Sequence, residues 1–205
     1  MNTPPYRIVT PRTVIRCYQP DDAEALQAAI TASVEHLTPW MPWAHAEPEE
    51  LEAKVQRLRG FRGRFDLDQD YVYAIFSPDE SGLIGGTGLH PRVGPDALEI
   101  GYWILVDEAG KGYATEVSAA LTRVAFEISG ARRVEIRCDP ANLPSAAVPR
   151  KLGFVHEATL RCRSTTETGA PRDVMMWSMF PDTFPGTPAS SAELRAYDAA
   201  GRRVL

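Results

Sequence analysis

The chain has 205 residues, enough for one domain with a single core. Its 22 Lys and Arg against 27 Asp and Glu leave a formal charge of −5, which argues against a broad nucleic-acid footprint, since phosphate binding draws on an excess of cations. No apolar run approaches the roughly 18 residues of a membrane span, and Met1 to Arg12 lacks the apolar segment of a signal peptide, so no membrane partner is expected.

In chain order, the first helix signal follows Pro20, where Asp21 and Glu24 have capping-box spacing and Leu26, Ile30 and Val34 recur at helical intervals, predicting a helix over 22–35. Trp40-Met41-Pro42-Trp43 comes next. Pro48, Leu51, Val55 and Leu58 then predict a second helix that ends near Gly60 or Gly63. The period changes over 71–76, 83–90 and 98–105, three β-rich runs separated by Gly, Pro and Asp, which suggest an antiparallel meander. From Gly110 to Ile128 helical spacing returns on Ala114, Val117, Leu121 and Val124, with Gly130 as its cap. A strand over 133–138, a short helix over 145–152 closed by Gly153, and strands near 155–163 and 174–179 complete a mixed α/β domain over residues 1–180. Residues 181–205 read as a Pro/Ser-rich linker and a docking segment, a hairpin or strand around Ala200 and Gly201 that sits on its own domain or on a second copy in a homodimer.

Cys17, Cys138 and Cys162 are odd in number and far apart, which suggests neither a disulfide framework nor a metal knuckle; a reducing cytoplasm is expected. The four histidines show no metal-ligand spacing, so no metal is expected. The informative piece is Gly110-Lys111-Gly112-Tyr113-Ala114-Thr115-Glu116, between a strand and an amphipathic helix. Small residues let backbone N–H groups approach a ligand, and a helix N-terminus adds unpaired donors and a positive dipole end, which suits a diphosphate.

That turn, together with Glu99-Ile100-Gly101-Tyr102-Trp103-Ile104 before it and Asn142-x-x-Ser145 and Leu152-Gly153-Phe154 after it, resembles the GNAT superfamily of N-acetyltransferases over roughly residues 10–180. Trp40 and Trp43 make it look closest to the branch of ribosomal-protein N-terminal acetyltransferases. The resemblance implies a mostly antiparallel twisted sheet of about six to seven strands, about four helices on both faces, and a parallel pair splayed at the cofactor cleft. It also implies acetyl-CoA as donor: pantetheine along Trp103, Ile104, Leu105 and Asn142, diphosphate on the N–H groups of Gly110 to Thr115, and a CoA phosphate near Lys151. Two departures stand out. Ala109 stands where the family's turn usually opens with Arg or Gln, or in this branch sometimes an aromatic, and Pro149 stands where many relatives carry the tyrosine that protonates the thiolate, which moves that role to Ser145 or water.

Glu99 alternates with Leu98 and Ile100 on its strand, so it projects to the opposite face and is the candidate base, against the alternative of a solvated carboxylate. Ser145 reads equally as a helix N-cap. Trp40, Trp43, Tyr102 and His90 are candidates for the acceptor side, with core packing for the tryptophans and a strand end for His90 as the alternatives. The acceptor is an amine. An α-amine of pKa about 7.7 to 8 is roughly a tenth neutral at pH 7, far more than a lysine side chain, which favours a peptide N-terminus. A small-molecule amine, or a sensor that binds acyl-CoA without turnover, are the competing functions.

Overall fold

A computed structural model describes residues 1–166 and 168–205. Nine strands and four helices follow one another as β1 (Arg7–Val9), β2 (Val14–Cys17), α1 (Ala23–Leu37), α2 (Leu51–Asp66), β3 (Tyr71–Phe76), β4 (Leu83–His90), β5 (Ala97–Ile104), α3 (Tyr113–Glu127), β6 (Arg133–Cys138), α4 (Leu143–Leu152), β7 (Val155–Thr165), β8 (Pro171–Met179) and β9 (Arg195–Tyr197) among the described residues. They form one sheet in the order β7-β8-β6-β5-β4-β3-β2-β1-β9. Among the described residues β5 and β6 are the one parallel pair, and all other neighbours run antiparallel.

Strand alternation sorts the side chains of β3 onto two cores. Tyr71, Tyr73 and Ile75 join the buried faces of α3 and α4, through Val117, Leu121, Val124 and Leu152, whereas Ala74 and Phe76 pack with Leu26 and Ile30 of α1 and Leu58 of α2. The helices therefore cover the sheet in pairs, α1 and α2 on one face and α3 and α4 on the other. No helix among the described residues is long and apolar enough to cross a membrane.

Several elements differ from their sequence expectation, each for a stateable reason. α2 runs through Gly60 and Gly63 to Asp66. Phe65 explains this: it is fully buried, with ring centroids 4.7, 5.3 and 5.1 Å from Tyr6, Tyr71 and Tyr73. Burying a Phe is worth about 1.5–3 kcal/mol, which offsets a cost of about 1 kcal/mol for each helical glycine. At the start of α1 the residue that accepts the Gln19 N–H is Asp22, at 2.8 Å, rather than Asp21. Asp22 also takes both Arg16 guanidinium NH2 groups, at 2.7 and 2.8 Å.

Sheet size exceeds the expected six to seven strands because β1 and β2 were too short to announce themselves, although Ile8 and Ile15 are wholly buried. The rest of the increase is β9, which pairs antiparallel with β1, with Ala196 opposite Ile8. Its chain turns back at Gly201, φ +74, so that Arg203 bridges Tyr197. Residues 181–205 thus lie on the chain's own sheet, where Phe184, Ala189 and Ala196 are buried in the main core.

Candidate active site

The site begins where β5 and β6 separate. They pair from Ala97 with Arg133 to Ile100 with Ile136; beyond that β5 continues beside β4 as far as Ile104 while Arg137 and Cys138 stay beside β8. The half of β5 from Gly101 onward therefore carries a backbone edge toward an open gap, and such an edge needs partners. Of the three residues expected to meet pantetheine, Leu105 has its N–H taken by the Ile84 carbonyl at 2.8 Å. By alternation Ile104 is the residue whose amide turns into the gap, whereas Trp103 is paired to Gly86.

Past the gap, the chain makes one short 3-10 turn at Val106–Glu108 and then the glycine turn. Gly110 and Gly112 have φ of +77 and +88, the left-handed region that only glycine enters cheaply. The first ladder bond of α3 runs from Glu116 N–H to the Gly112 carbonyl at 3.1 Å, so the amides of Tyr113, Ala114 and Thr115 precede the ladder. Arg12, which the sequence reading passed over, fastens this turn from the β1–β2 hairpin. Its guanidinium donates to the Lys111 carbonyl at 2.9 Å and to Glu116 Oε2 at 2.6 Å, and lies 4.7 Å from the Tyr113 ring centroid. Thr10 Oγ1 adds a 2.7 Å bond to Glu116 Oε1. Ala109 thus opens a turn whose shape is held by a cation about a hundred residues earlier.

On the α1/α2 side of the gap lies a cavity of about 820 Å³. Gly86 of β4 and Gly101 and Trp103 of β5 form part of its lining, with the Trp103 indole and the Tyr18 hydroxyl in the space a side chain at Gly86 would need. Trp40, Met41, Pro42 and Trp43 form one wall, with the Trp43 ring 6.0 Å from Trp103 at 65°. Arg172 of β8 props that wall: it donates to the Pro39 carbonyl at 2.6 Å and to Asp139 at 2.5 Å, and its guanidinium lies 5.4 Å from the Trp40 ring. Trp40 and Trp43 thus both line the cavity, and Trp43 also packs against the core formed with α1 and α2.

Glu99, Tyr102, His90, Asn142 and Ser145 all line the same cavity. The Glu99 carboxylate is nearly buried and both its oxygens are held by Arg92, at 3.0 and 2.7 Å. Ser145 is not the helix cap: the Asn142 side-chain Oδ1 accepts the Ser145 N–H at 3.1 Å, and α4 starts at Leu143. That leaves the Ser145 hydroxyl 3.0 Å from the Tyr102 hydroxyl, across the splay. Burial, outweighing the bond to Ser145, holds the Tyr102 phenol protonated well above the ordinary tyrosine range. His90 pairs with Asp70, a residue the sequence reading did not single out. The Lys111 side chain is exposed and paired with Glu108 at 3.0 Å, and Lys151 is exposed in the last turn of α4, about 13 Å along the helix from Asn142. No group of three or more potential metal ligands occurs among the described residues, and Cys17, Cys138 and Cys162 are all free thiols.

A splayed parallel pair, a helix N-terminus beside it and an adjoining cavity lined by titratable side chains thus meet at one place in the fold. The sequence matches the family described as Acetyltransferase (GNAT) domain over residues 12–155. The chain belongs to that family and is a GNAT N-acetyltransferase. It is 32% identical over 161 residues to the Bacillus subtilis (strain 168) protein named "Putative ribosomal N-acetyltransferase YdaF", covering 75% of this chain and 83% of that one. Among solved structures it is similar to RimL, the ribosomal L7/L12 alpha-N-protein acetyltransferase in complex with coenzyme A, with a TM-score of 0.77, 21% identity, and coverage of 85% of this chain and 97% of that one. It is also similar to a ribosomal-protein-S5-alanine acetyltransferase from Vibrio fischeri, with a TM-score of 0.74, 22% identity, and coverage of 87% and 98%. At these identities the two structures speak to the fold.

Proposed function

We propose that the chain transfers the acetyl group of acetyl-CoA to the N-terminal α-amine of a protein or peptide, by direct attack within a ternary complex in the cytoplasm. The observation that carries the acceptor class is the shape of the site. The 820 Å³ cavity runs on into a second basin of about 560 Å³ along β6 and β8, the two sharing Trp40, Arg92, Glu99, Arg137 and Asp139. An elongated trough fits an extended peptide, whereas a drug-sized amine calls for an enclosed pocket. The relative named as a ribosomal N-acetyltransferase supports the same reading.

Acetyl-CoA in this reading lies with its diphosphate on the amides of Gly110 to Thr115 and its thioester at the gap beside Ile104. Asn142 keeps its side-chain NH2 free of the capping bond and faces the pantetheine. Glu99 and His90 are the cavity groups able to take a proton from nitrogen, and the Tyr102–Ser145 pair supplies the proton that sulfur takes. Replacing Tyr102 by Phe is expected to lower kcat on the order of 10²-fold while leaving the KM for acetyl-CoA within about 2-fold. Unchanged steady-state kcat would remove the pair from the reaction.

A mass-spectrometric acceptor screen with acetyl-CoA tests the whole assignment. The expected result is a single acetyl group on the α-amine of peptides with small N-terminal residues and none on N-terminally blocked peptides carrying lysine. Preferential acetylation of polyamines or other small amines would replace the acceptor class. CoA binding without transfer to any amine would point to a sensor.

A further inference from the structure

His90 ends β4 directly opposite Glu99 of β5, and its side chain is mostly buried. The next cross-strand pair on the same face is Gly88 and Gly101, neither of which has a side chain, and the imidazole folds back over them. Its Nε2 lies 2.5 Å from where a Cβ on Gly88 would stand and 3.4 Å from the corresponding point on Gly101. Gly101 is two residues before Trp103 on the same face of β5, so the ring edge carrying Nε2 is laid along the cavity floor toward the thioester end.

The other ring nitrogen is committed. Nδ1 is 2.6 Å from Asp70 Oδ1, and the pair is mostly buried, the side chains being 15% and 27% exposed. A carboxylate at Nδ1 accepts the proton there, which leaves the lone pair on Nε2. Among the described residues Nε2 has no hydrogen-bond partner. Glu99, by contrast, already uses both oxygens on Arg92. The charged groups that line the cavity with the imidazole are Asp70 from the α2–β3 turn, Arg92 from the loop after β4, Glu99 of β5, Arg57 and Arg64 from α2, and Arg137 and Asp139 across the gap. Arg57 is bound to Glu49, Arg137 to Glu135, Arg92 to Glu99 and Asp139 to Arg172, and Arg64 lies over the Phe61 ring; Asp70 is the charge hydrogen-bonded to the imidazole.

We propose that His90, held by Asp70, is the catalytic residue that accepts the proton from the attacking amine. The inference rests on the acetyl-transfer reading above. The amine nitrogen forms its bond to the thioester carbonyl carbon, and the C–S bond breaks with its electron pair on sulfur. The proton leaving nitrogen goes to His90 Nε2 and sulfur receives one from the Tyr102–Ser145 pair. The products are the N-acetylated amine, free thiol CoA, an imidazolium balanced by Asp70 and a Tyr102–Ser145 pair short of one proton; the imidazolium returns its proton to water and the pair regains one from water, which restores both groups. Glu99 and Arg92 then act as a positioning pair at the end of the floor.

The test is the pH dependence of kcat for the full chain with acetyl-CoA and two acceptor peptides whose α-amines differ in pKa. A limb that belongs to the enzyme falls at the same pH for both peptides. In His90→Gln that shared acidic limb is expected to vanish and kcat to fall by about 10²–10³-fold, with acetyl-CoA affinity by calorimetry and the thermal midpoint unchanged. Asp70→Asn, which removes the carboxylate that holds Nδ1, should lower kcat for both peptides, and Glu99→Gln should retain the limb. A His90→Gln enzyme with the shared limb and an undiminished kcat overturns the proposal, as does loss of the limb in Glu99→Gln alone. Transfer to a small amine but to no peptide overturns the acceptor class only, since the same comparison on that amine still identifies the base. A wild type that transfers to no amine overturns both.

Discussion

Replacing Lys54 by methionine should destabilise the chain by about 3–5 kcal/mol, the cost of leaving a buried charge without its partner. Lys54 sits in α2 with no exposed surface, and its Nζ holds the Glu47 carboxylate, itself only 3% exposed, with Glu49 Oε2 3.3 Å away. Arg57, one turn further along α2, also binds Glu49 and lies 3.7 Å from Glu47, and Gln27 of α1 donates to the Glu49 carbonyl at 2.8 Å. The segment from Glu47 to Glu49 is thus pinned between two helices by charge rather than by apolar contact. Methionine matches the lysine stem but leaves the Glu47 anion facing a thioether, and Arg57 is too far to replace a direct bond. In the double variant Lys54→Met/Glu47→Leu no charge is stranded, so most of the loss should return. Urea unfolding of the three proteins measures this; a double variant no more stable than Lys54→Met would mean that the ion pair is not the source. The same anchor carries the chain leaving the Trp40–Trp43 wall, so Lys54→Met should also raise the KM for the acceptor more than that for acetyl-CoA.

The parts of this protein legible in its sequence are those whose signals are local. β3, β4 and β6 begin and end at the residues expected, because alternation and the flanking Gly, Pro and Asp act within the strand itself. The glycine turn and α3 were equally plain, since two glycines, an amphipathic stripe and Gly130 all lie within one stretch of chain. α2 was cut short at its glycines because the aromatic cluster that carries it onward comes from Tyr6, Tyr71 and Tyr73, invisible to a window on the helix. β1, β2 and β9 are strands of three or four residues whose support is each other, not their own pattern.

The site divides along the same line. Trp40, Trp43, Glu99, Tyr102, Asn142 and Ser145 do line one cavity, yet their partners are what give them chemistry, and those partners are remote. Arg12 reaches Glu116 across 104 residues, Asp70 reaches His90 across 20, and Tyr102 reaches Ser145 across 43. Asp70 in sequence is one more acidic residue in a turn, and Arg12 one more cation after a proline. Nothing local separates them from solvated charges.

Substituting Gly112 by valine should raise the Kd for CoA by about 10–100-fold, the loss of roughly one or two hydrogen bonds to a charged group. At φ +88 and ψ 3 the residue is left-handed, a conformation that costs a side-chain-bearing residue about 1–2 kcal/mol and a β-branched one more. A Cβ there would also come within 3.4 Å of the Arg12 guanidinium, which is already fixed by Glu116 and the Lys111 carbonyl. The chain relieves this by rotating Gly112, whose own carbonyl accepts the first ladder bond of α3, so the amides of Tyr113, Ala114 and Thr115 tilt with it. Gly110→Ala separates strain from crowding, because its φ is +77 but nothing lies within 4 Å of the added atom; it should weaken CoA binding less. Acetyl-pantetheine, which lacks the diphosphate, is the decisive second donor. If the turn grips the diphosphate, Gly112→Val loses activity with acetyl-CoA and little with acetyl-pantetheine, and an equal loss with both donors would place the function of these amides elsewhere.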